Sequence, residues 1–320
     1  MTIQDSGGIT SVMVRAFALA VIVLFLLVLT CEAQASPRPI RIAFIDFGNN
    51  PIGHRVADSL ANTIASDNRT ARNARADHFQ VIDRDWTRAA ALGAGYRGSL
   101  NLTLQEARDL GSAIGCDFFF TGNAETERRS PADGPPYFES SAAVYLVSAR
   151  TGKLALWERP SVQRTTAEEA EKILLQELAA EDARSRYRRQ IQRTLEGEQA
   201  ERASAIERNL PVIEALSDDQ SDAGNGVQAP RPYRRLKPTY PEIAARDEIE
   251  AAVDVLVDID AQGEVGRVEV ARWAGYGLDQ SVVDTVRQLH FFPAQREGAA
   301  IPIRVLLRYN FRKPVQNRSQ

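Results

Sequence analysis

Toward the carboxyl end apolar residues alternate with polar ones. Nearer the middle they recur every three or four positions, so the chain predicts strands and helices in separate blocks. "VDVLVDID" puts Val253, Val255, Val257 and Ile259 on one face. "AQGE", Ala261 to Glu264, turns it, and "VGRVEVAR" returns with Val268 and Val270 inward. "GLDQSVVDTVRQL" keeps Leu278, Val282, Val286 and Leu289 in phase for a helix. In the last run Ile301, Ile303, Val305, Leu307, Tyr309 and Phe311 share one face, with Arg304, Arg308 and Asn310 on the other. The expectation is a three-stranded antiparallel sheet with one principal helix.

The middle of the chain reads differently. "IRIAFIDF", Ile40 to Phe47, is a short buried strand, after which Asn50 caps a helix opening at Pro51, with Val56, Leu60 and Ile64 on its apolar side. "FQVIDRD", Phe79 to Asp85, reads as a second strand. A helix from Thr103, with Glu106 completing a capping box, stops at Gly115, and a third strand runs from Cys116 to about Glu125. Tyr137 to Val147 and Lys153 to Arg159 flank Ser148 to Gly152 as a hairpin. This order implies a mixed sheet with helices packed on it.

From Thr166 to about Leu195 glutamates lead and arginines follow, the charge order a helix dipole prefers. Ile173, Leu174, Leu178, Tyr187, Ile191 and Leu195 give this stretch an apolar stripe, and Gly197 is a candidate break before Glu198 to Arg208. Unbroken over about forty residues, such a helix would span roughly 60 Å. The fold class is therefore α+β: a mixed-sheet α/β domain, a long helical connector and a small antiparallel sheet with one helix. The expected divisions are 1–35, a signal peptide or anchor; 36–165, the α/β domain; 166–216, the connector; 217–232, a flexible linker; 233–314, the carboxyl-terminal domain; and 315–320, a tail.

The amino terminus holds competing signals. Ala16 to Thr30 is an uncharged apolar run behind Arg15, about fifteen residues against the roughly 20 of a spanning helix and the roughly 7 to 15 of a signal core. Ala33 and Ala35 suit cleavage before Ser36; Cys31 is a candidate lipid-bearing cysteine; and an uncut run would anchor the chain in the inner membrane. Each reading exports the chain to a periplasm-facing position.

Composition narrows the chemistry. A net charge of -3 and pI near 5.8 give no nucleic-acid footprint. Two cysteines make no disulfide framework, and His54, His78 and His290 lack metal-ligand spacing. No nucleophile–base pair, metal cluster or phosphate loop is visible, so neither an enzyme nor a cofactor is expected. Asp46, Asn49, Asp83, Asp85, Thr121 and Asn123 fall at the carboxyl ends of the predicted strands, where a polar cleft for a small molecule would lie. The plainer account is that these residues cap turns and loops.

Two resemblances emerge. "IDFGNNPIGHRVADSLANTIASD", "FQVIDRD", "LGSAIGCDFFFTGNAE" and "LVSARTGKLALWE" resemble the periplasmic domain shared by CsgG, the TolB amino-terminal domain and their relatives, a structural and assembly module. Tyr240 to Phe311 resembles the TonB carboxyl-terminal domain. That likeness rests on Tyr240-Pro241, the Asp260 to Gly263 turn, the Leu278-Asp279 helix start and Phe292-Pro293-Ala294, while Ala251 stands where glycine is frequent. It implies outer-membrane TonB-dependent receptors as partners, recognised by strand addition along Ile303, Arg304, Val305, Leu306, Leu307, Arg308 and Tyr309. It also implies an inner-membrane motor of the ExbB/ExbD type, and leaves a dimer open. Two features depart from an energy transducer: the apolar run has no histidine, and the usual proline-rich spacer is replaced. A periplasmic adaptor or scaffold that transmits no force is the alternative.

Overall fold

The computed structural model describes residues 38–70, 79–204, 212–214, 222–223 and 226–313. The apolar run and its three processing candidates, Cys31, Ala33 and Ala35, lie outside these residues, as does part of the expected linker. No helix among the described residues is long and apolar enough to cross a membrane.

The first module contains β1 (Ile40–Phe44), α1 (Pro51–Thr70), β2 (Phe79–Val81), α2 (Arg84–Gly93), α3 (Leu104–Ile114), β3 (Phe118–Arg129), β4 (Tyr137–Ser148), β5 (Leu154–Glu158) and β6 (Ser161–Arg164). Its sheet runs β2-β1-β3-β4-β5, with β6 also on β4. β1 is parallel to β2 and β3, whereas β3, β4 and β5 pair antiparallel. α3 forms for the reasons its sequence carries. Thr103 accepts the Glu106 N–H, Glu106 reaches back, and Gly115 closes the helix in the left-handed region.

Three expectations change. "FQVIDRD" is a strand only to Val81, because the Asp83 carboxylate accepts the Trp86 N–H and starts α2 instead. β3 extends to Arg129, since β4 pairs with it along the whole length to Tyr137. The connector is two helices, α4 (Ala167–Leu178) and α5 (Glu181–Ser204), and α5 runs through Gly197. The break follows Leu178, where Ala179 donates back to Leu175. Leu174, Leu178, Tyr187 and Ile191 are buried against the sheet, and Phe120 meets the Tyr187 ring edge-on at 5.3 Å. At 24 residues α5 is about 36 Å long. The connector is a layer of the module rather than an extended spacer.

Beyond α5 come β7 (Val212–Glu214), β8 (Asp222–Ala223), β9 (Val227–Gln228), β10 (Arg231–Pro232) and α6 (Glu242–Arg246). The carboxyl-terminal domain proper follows with β11 (Ala251–Ile259), β12 (Val265–Arg272), α7 (Leu278–Val286), β13 (Phe291–Phe292), β14 (Ala294–Arg296), β15 (Ala299–Ile301) and β16 (Ile303–Phe311). The expected antiparallel trio is present, in the order β12-β11-β16, but the sheet has a fourth strand: β7 adds to β16 in parallel. Small β-pairings join β15-β14-β9-β8 and β10-β13.

From Ile40 onward the chain is one compact unit. One hydrophobic cluster lies between the first sheet and α1, α4 and α5. The other begins on the opposite face of that sheet, at Ala43, Phe119, Tyr145 and Val147, and continues into Val253, Val255, Trp273 and Val305 of the carboxyl-terminal domain.

Candidate partner-binding edge and its mounting

β16 is nine residues of alternating character, and its backbone pairs with β11 from Ala251↔Phe311 to Ile259↔Ile303. Ile303, Val305 and Phe311 are buried, whereas Arg304 and Arg308 emerge on the other face. Both arginines are engaged. Arg304 forks onto Asp258 at 2.5 and 2.9 Å, and Arg308 onto Asp254 at 2.7 and 2.8 Å. Asp254 is 3% exposed and also accepts from Arg272 at 3.2 Å. Burial alone would raise its pKa, but the Arg308 and Arg272 guanidiniums outweigh it and hold the carboxyl below its ordinary value. Cross-strand pairs of this kind fix the face of a sheet and hold these side chains away from its backbone edge. That edge faces β7 over Arg304↔Val212, Val305↔Ile213 and Leu306↔Glu214.

The sheet is mounted on the first module by a polar and aromatic seam. Trp273, 1% exposed, donates its Nε1–H to the Gly152 carbonyl at 3.0 Å and lies 5.5 Å from the Tyr145 ring. Tyr145 donates to the Ala274 carbonyl at 2.9 Å, and Trp157 packs on Tyr276 at 4.8 Å. Gly275, at φ 75°, lets the backbone approach; a Cβ there would stand 2.6 Å from the Trp157 ring. Asn101 acts as a clamp across the seam. Its amide donates to the carbonyls of Ala252 and Trp273 at 2.8 and 2.7 Å and accepts the Ala252 N–H at 3.0 Å.

Charges reinforce this mounting. Arg272 donates to the Asn101 carbonyl at 2.8 Å, so the carboxylate that holds Arg308 on β16 is one residue removed from the first module. Lys153 bridges Glu269 at 2.9 Å and Glu201 at 3.0 Å, joining β12 to α5. Arg159, whose side chain is 3% exposed, pairs with Asp247 across the seam and sits near the buried Glu139. Sequence reasoning missed this seam. The sequence carries its parts only as aromatics in two distant blocks, Tyr145 and Trp157 in one and Trp273 and Tyr276 in the other.

The structure divides the six polar cleft candidates. Asp46 sits among Arg88 at 2.8 Å, His54 at 3.2 Å and Arg84. Burial works against its ionised form, but the Arg88 and His54 hydrogen bonds and the arginine charges prevail and lower its pKa. Asp85 joins this cluster through Arg88 at 2.9 Å, while Asp83 is spent on capping α2. Thr121 is buried and bonded to the Tyr96 hydroxyl at 3.0 Å, Asn123 lies half-buried on β3, and Asn49 is exposed. Asp46's partners Arg84 and Arg88 are one turn apart on α2, a helix the sequence pattern did not reveal. Among the described residues no group of His, Cys, Asp and Glu could hold a metal. Burial pushes the Cys116 thiol up to about 12, which makes it unreactive.

Comparison with known proteins bears on the carboxyl-terminal domain. Residues 237–312 match the family described as Gram-negative bacterial TonB protein C-terminal. They form a TonB carboxyl-terminal domain. The TonB match begins before α6 and ends just after β16, so it takes in the sheet and the whole candidate edge but not β7. TonB domains of this type are binding modules of the bacterial cell envelope. No curated protein matches the sequence. Among solved structures, the solution structure of the Pseudomonas aeruginosa TonB C-terminal domain is 20% identical, with 33% of this chain and 96% of that chain covered, at a TM-score of 0.25. Lipoprotein GNA1162 from Neisseria meningitidis is 14% identical over 45% of this chain and 99% of its own, at 0.27. The LpoB C-terminal domain from Salmonella enterica is 15% identical over 42% and 90%, at 0.26. At these scores the TonB assignment rests on the family match.

Proposed function

We propose that this chain is a TonB-like cell-envelope protein that offers the outer edge of β16 to outer-membrane receptors, from a platform formed by its α/β module. One observation carries the reading: the TonB match takes in all of β16, and the side of that strand away from β11 pairs with a further strand, β7, which supports strand addition there. Recognition then rests on the backbone of Ile303 to Tyr309, while Asp258 and Asp254 keep Arg304 and Arg308 from crowding the edge. The polar cluster at Asp46 is assigned no ligand, because its charges satisfy one another.

Whether force passes through the chain separates two forms of the proposal. An energy transducer requires a retained anchor and an inner-membrane motor of the ExbB/ExbD type. An adaptor requires neither, and the shared core favours it, since a connector packed as a layer cannot pay out length across the periplasm. The mature amino terminus decides between them. A chain starting at Ser36 in the soluble periplasm excludes direct force transmission, while an intact chain in the inner membrane restores the transducer.

Receptor binding is tested by placing a photocrosslinker at Leu306 of the full chain in Gram-negative cells. Crosslinks to outer-membrane receptors are expected. Their absence, with crosslinking confined to the chain itself, refutes the reading.

A further inference from the structure

We infer that β7 is a built-in occupant of the receptor edge, a stand-in strand that an incoming receptor segment must displace. The inference rests on reading β16 as that edge. Val212–Glu214 runs parallel to β16 and covers Arg304, Val305 and Leu306, the centre of the stretch available for strand addition. An incoming strand cannot use the same backbone donors and acceptors while β7 holds them.

The occupant is strong in one respect and weak in another. It is tethered: seven residues, 205 to 211, separate it from the end of α5, so it meets the edge at an effective concentration on the order of millimolar. A free peptide of equal intrinsic affinity loses to it at lower concentrations. Yet it covers only three of the nine residues of β16, and Leu307 to Phe311 have no outer strand among the described residues. That uncovered end gives a longer segment a place to begin pairing. Once seated there it can extend over Leu306, Val305 and Arg304, exchanging each β7 contact for one of its own. The arrangement selects for partners that pair over more of the strand than β7 does, and it blunts an edge that would otherwise invite self-association.

The test needs no receptor. In the full chain in detergent micelles, the double variant Val212→Pro/Ile213→Pro removes a ladder donor whichever of the alternating positions faces β16. Hydrogen exchange followed by mass spectrometry is expected to accelerate in fragments covering Arg304 to Leu306 and to stay unchanged over β11. A labelled peptide of the chain's own sequence, Asn209 to Ser217, is expected to bind this variant about tenfold tighter than the wild type, the ratio for an edge open about one-tenth of the time. Unchanged exchange or equal peptide affinity overturns the inference. A second variant replacing residues 212 to 214 by Gly-Ser-Gly decides the matter if the prolines disturb β11. Should the edge open and take the peptide while Leu306 crosslinks no receptor, the occupancy stands and the receptor assignment falls.

Discussion

The two faces of the six-stranded sheet have opposite fates. One sends Ile42, Phe44, Phe118, Phe120, Val144 and Leu146 into a core closed by α1, α4 and α5, all from the same module. The other sends Ala43, Phe119, Tyr145 and Val147 toward α3 and onward into Trp273 and the TonB domain. Both follow from alternation along β1, β3 and β4, so neighbouring residues such as Phe119 and Phe120 serve different assemblies. The closed face gives the module a core made from its own residues alone. The shared face makes the TonB domain's position a property of the module beneath it.

The largest test pairs one large side chain from each face. Trp273→Ala and Phe120→Ala should each lose about 3–5 kcal/mol in denaturant unfolding, as buried aromatic truncations do. They should differ in form. Trp273→Ala is expected to split unfolding into two transitions, the TonB domain melting first, whereas Phe120→Ala keeps one. A single transition in both would break the comparison.

A pH effect comes next. Asp279 is half-buried at the start of α7, accepts the Ala274 and Gly275 N–H groups at 2.8 Å, and so shapes the loop that meets Trp157. Burial pushes its pKa from 3.8 up to about 6, the two backbone bonds only partly opposing it. Below about pH 4 the carboxyl is protonated in both folded and unfolded chains. Between about 4 and 6 the folded chain binds the proton more tightly, so this group's contribution to stability falls as pH rises and is flat above, a loss of roughly 3 kcal/mol over the window. Asp279→Asn should lack that slope. Unfolding curves at about pH 4 and about pH 7 check it; equal slopes in the two proteins would remove Asp279 as the cause.

Asn101→Ala should be milder, about 1–3 kcal/mol, because it leaves the Ala252 and Trp273 backbone groups without their partner at the seam. Faster hydrogen exchange at Ala252 would show the loss directly. Arg88→Ala, on the surface of the first module, should cost under about 1 kcal/mol, since Arg84 and His54 still hold Asp46. A larger loss in thermal unfolding would mean that the Asp46 cluster supports more than itself.

What the sequence disclosed was local or strictly patterned. α3 announces its ends through Thr103, Glu106 and Gly115, and β11, β12 and β16 through period-two alternation. The division of the connector escaped notice because it falls at Ala179-Ala180, where neither glycine nor proline marks a stop. α2 was hidden behind a three-residue strand whose polar tail resembled its continuation. β7 has only three residues, too few to show any period, and its partner lies some ninety positions away. The candidate edge was legible in β16 itself. Its pairing with β7 and its mounting were not, because both are made by non-local pairing that no window of sequence contains.

The buried tryptophan at the seam also determines where the gene can be usefully cut. A fragment starting near residue 233 would contain every residue of the TonB match, yet would turn Trp273, Tyr276 and the Gly275 loop out to water. Such a patch makes a protein sticky, so bait prepared that way would capture partners through a surface the intact chain never shows. A truncation meant to report on native binding should begin no later than Ile40, with both layers of its sheet intact.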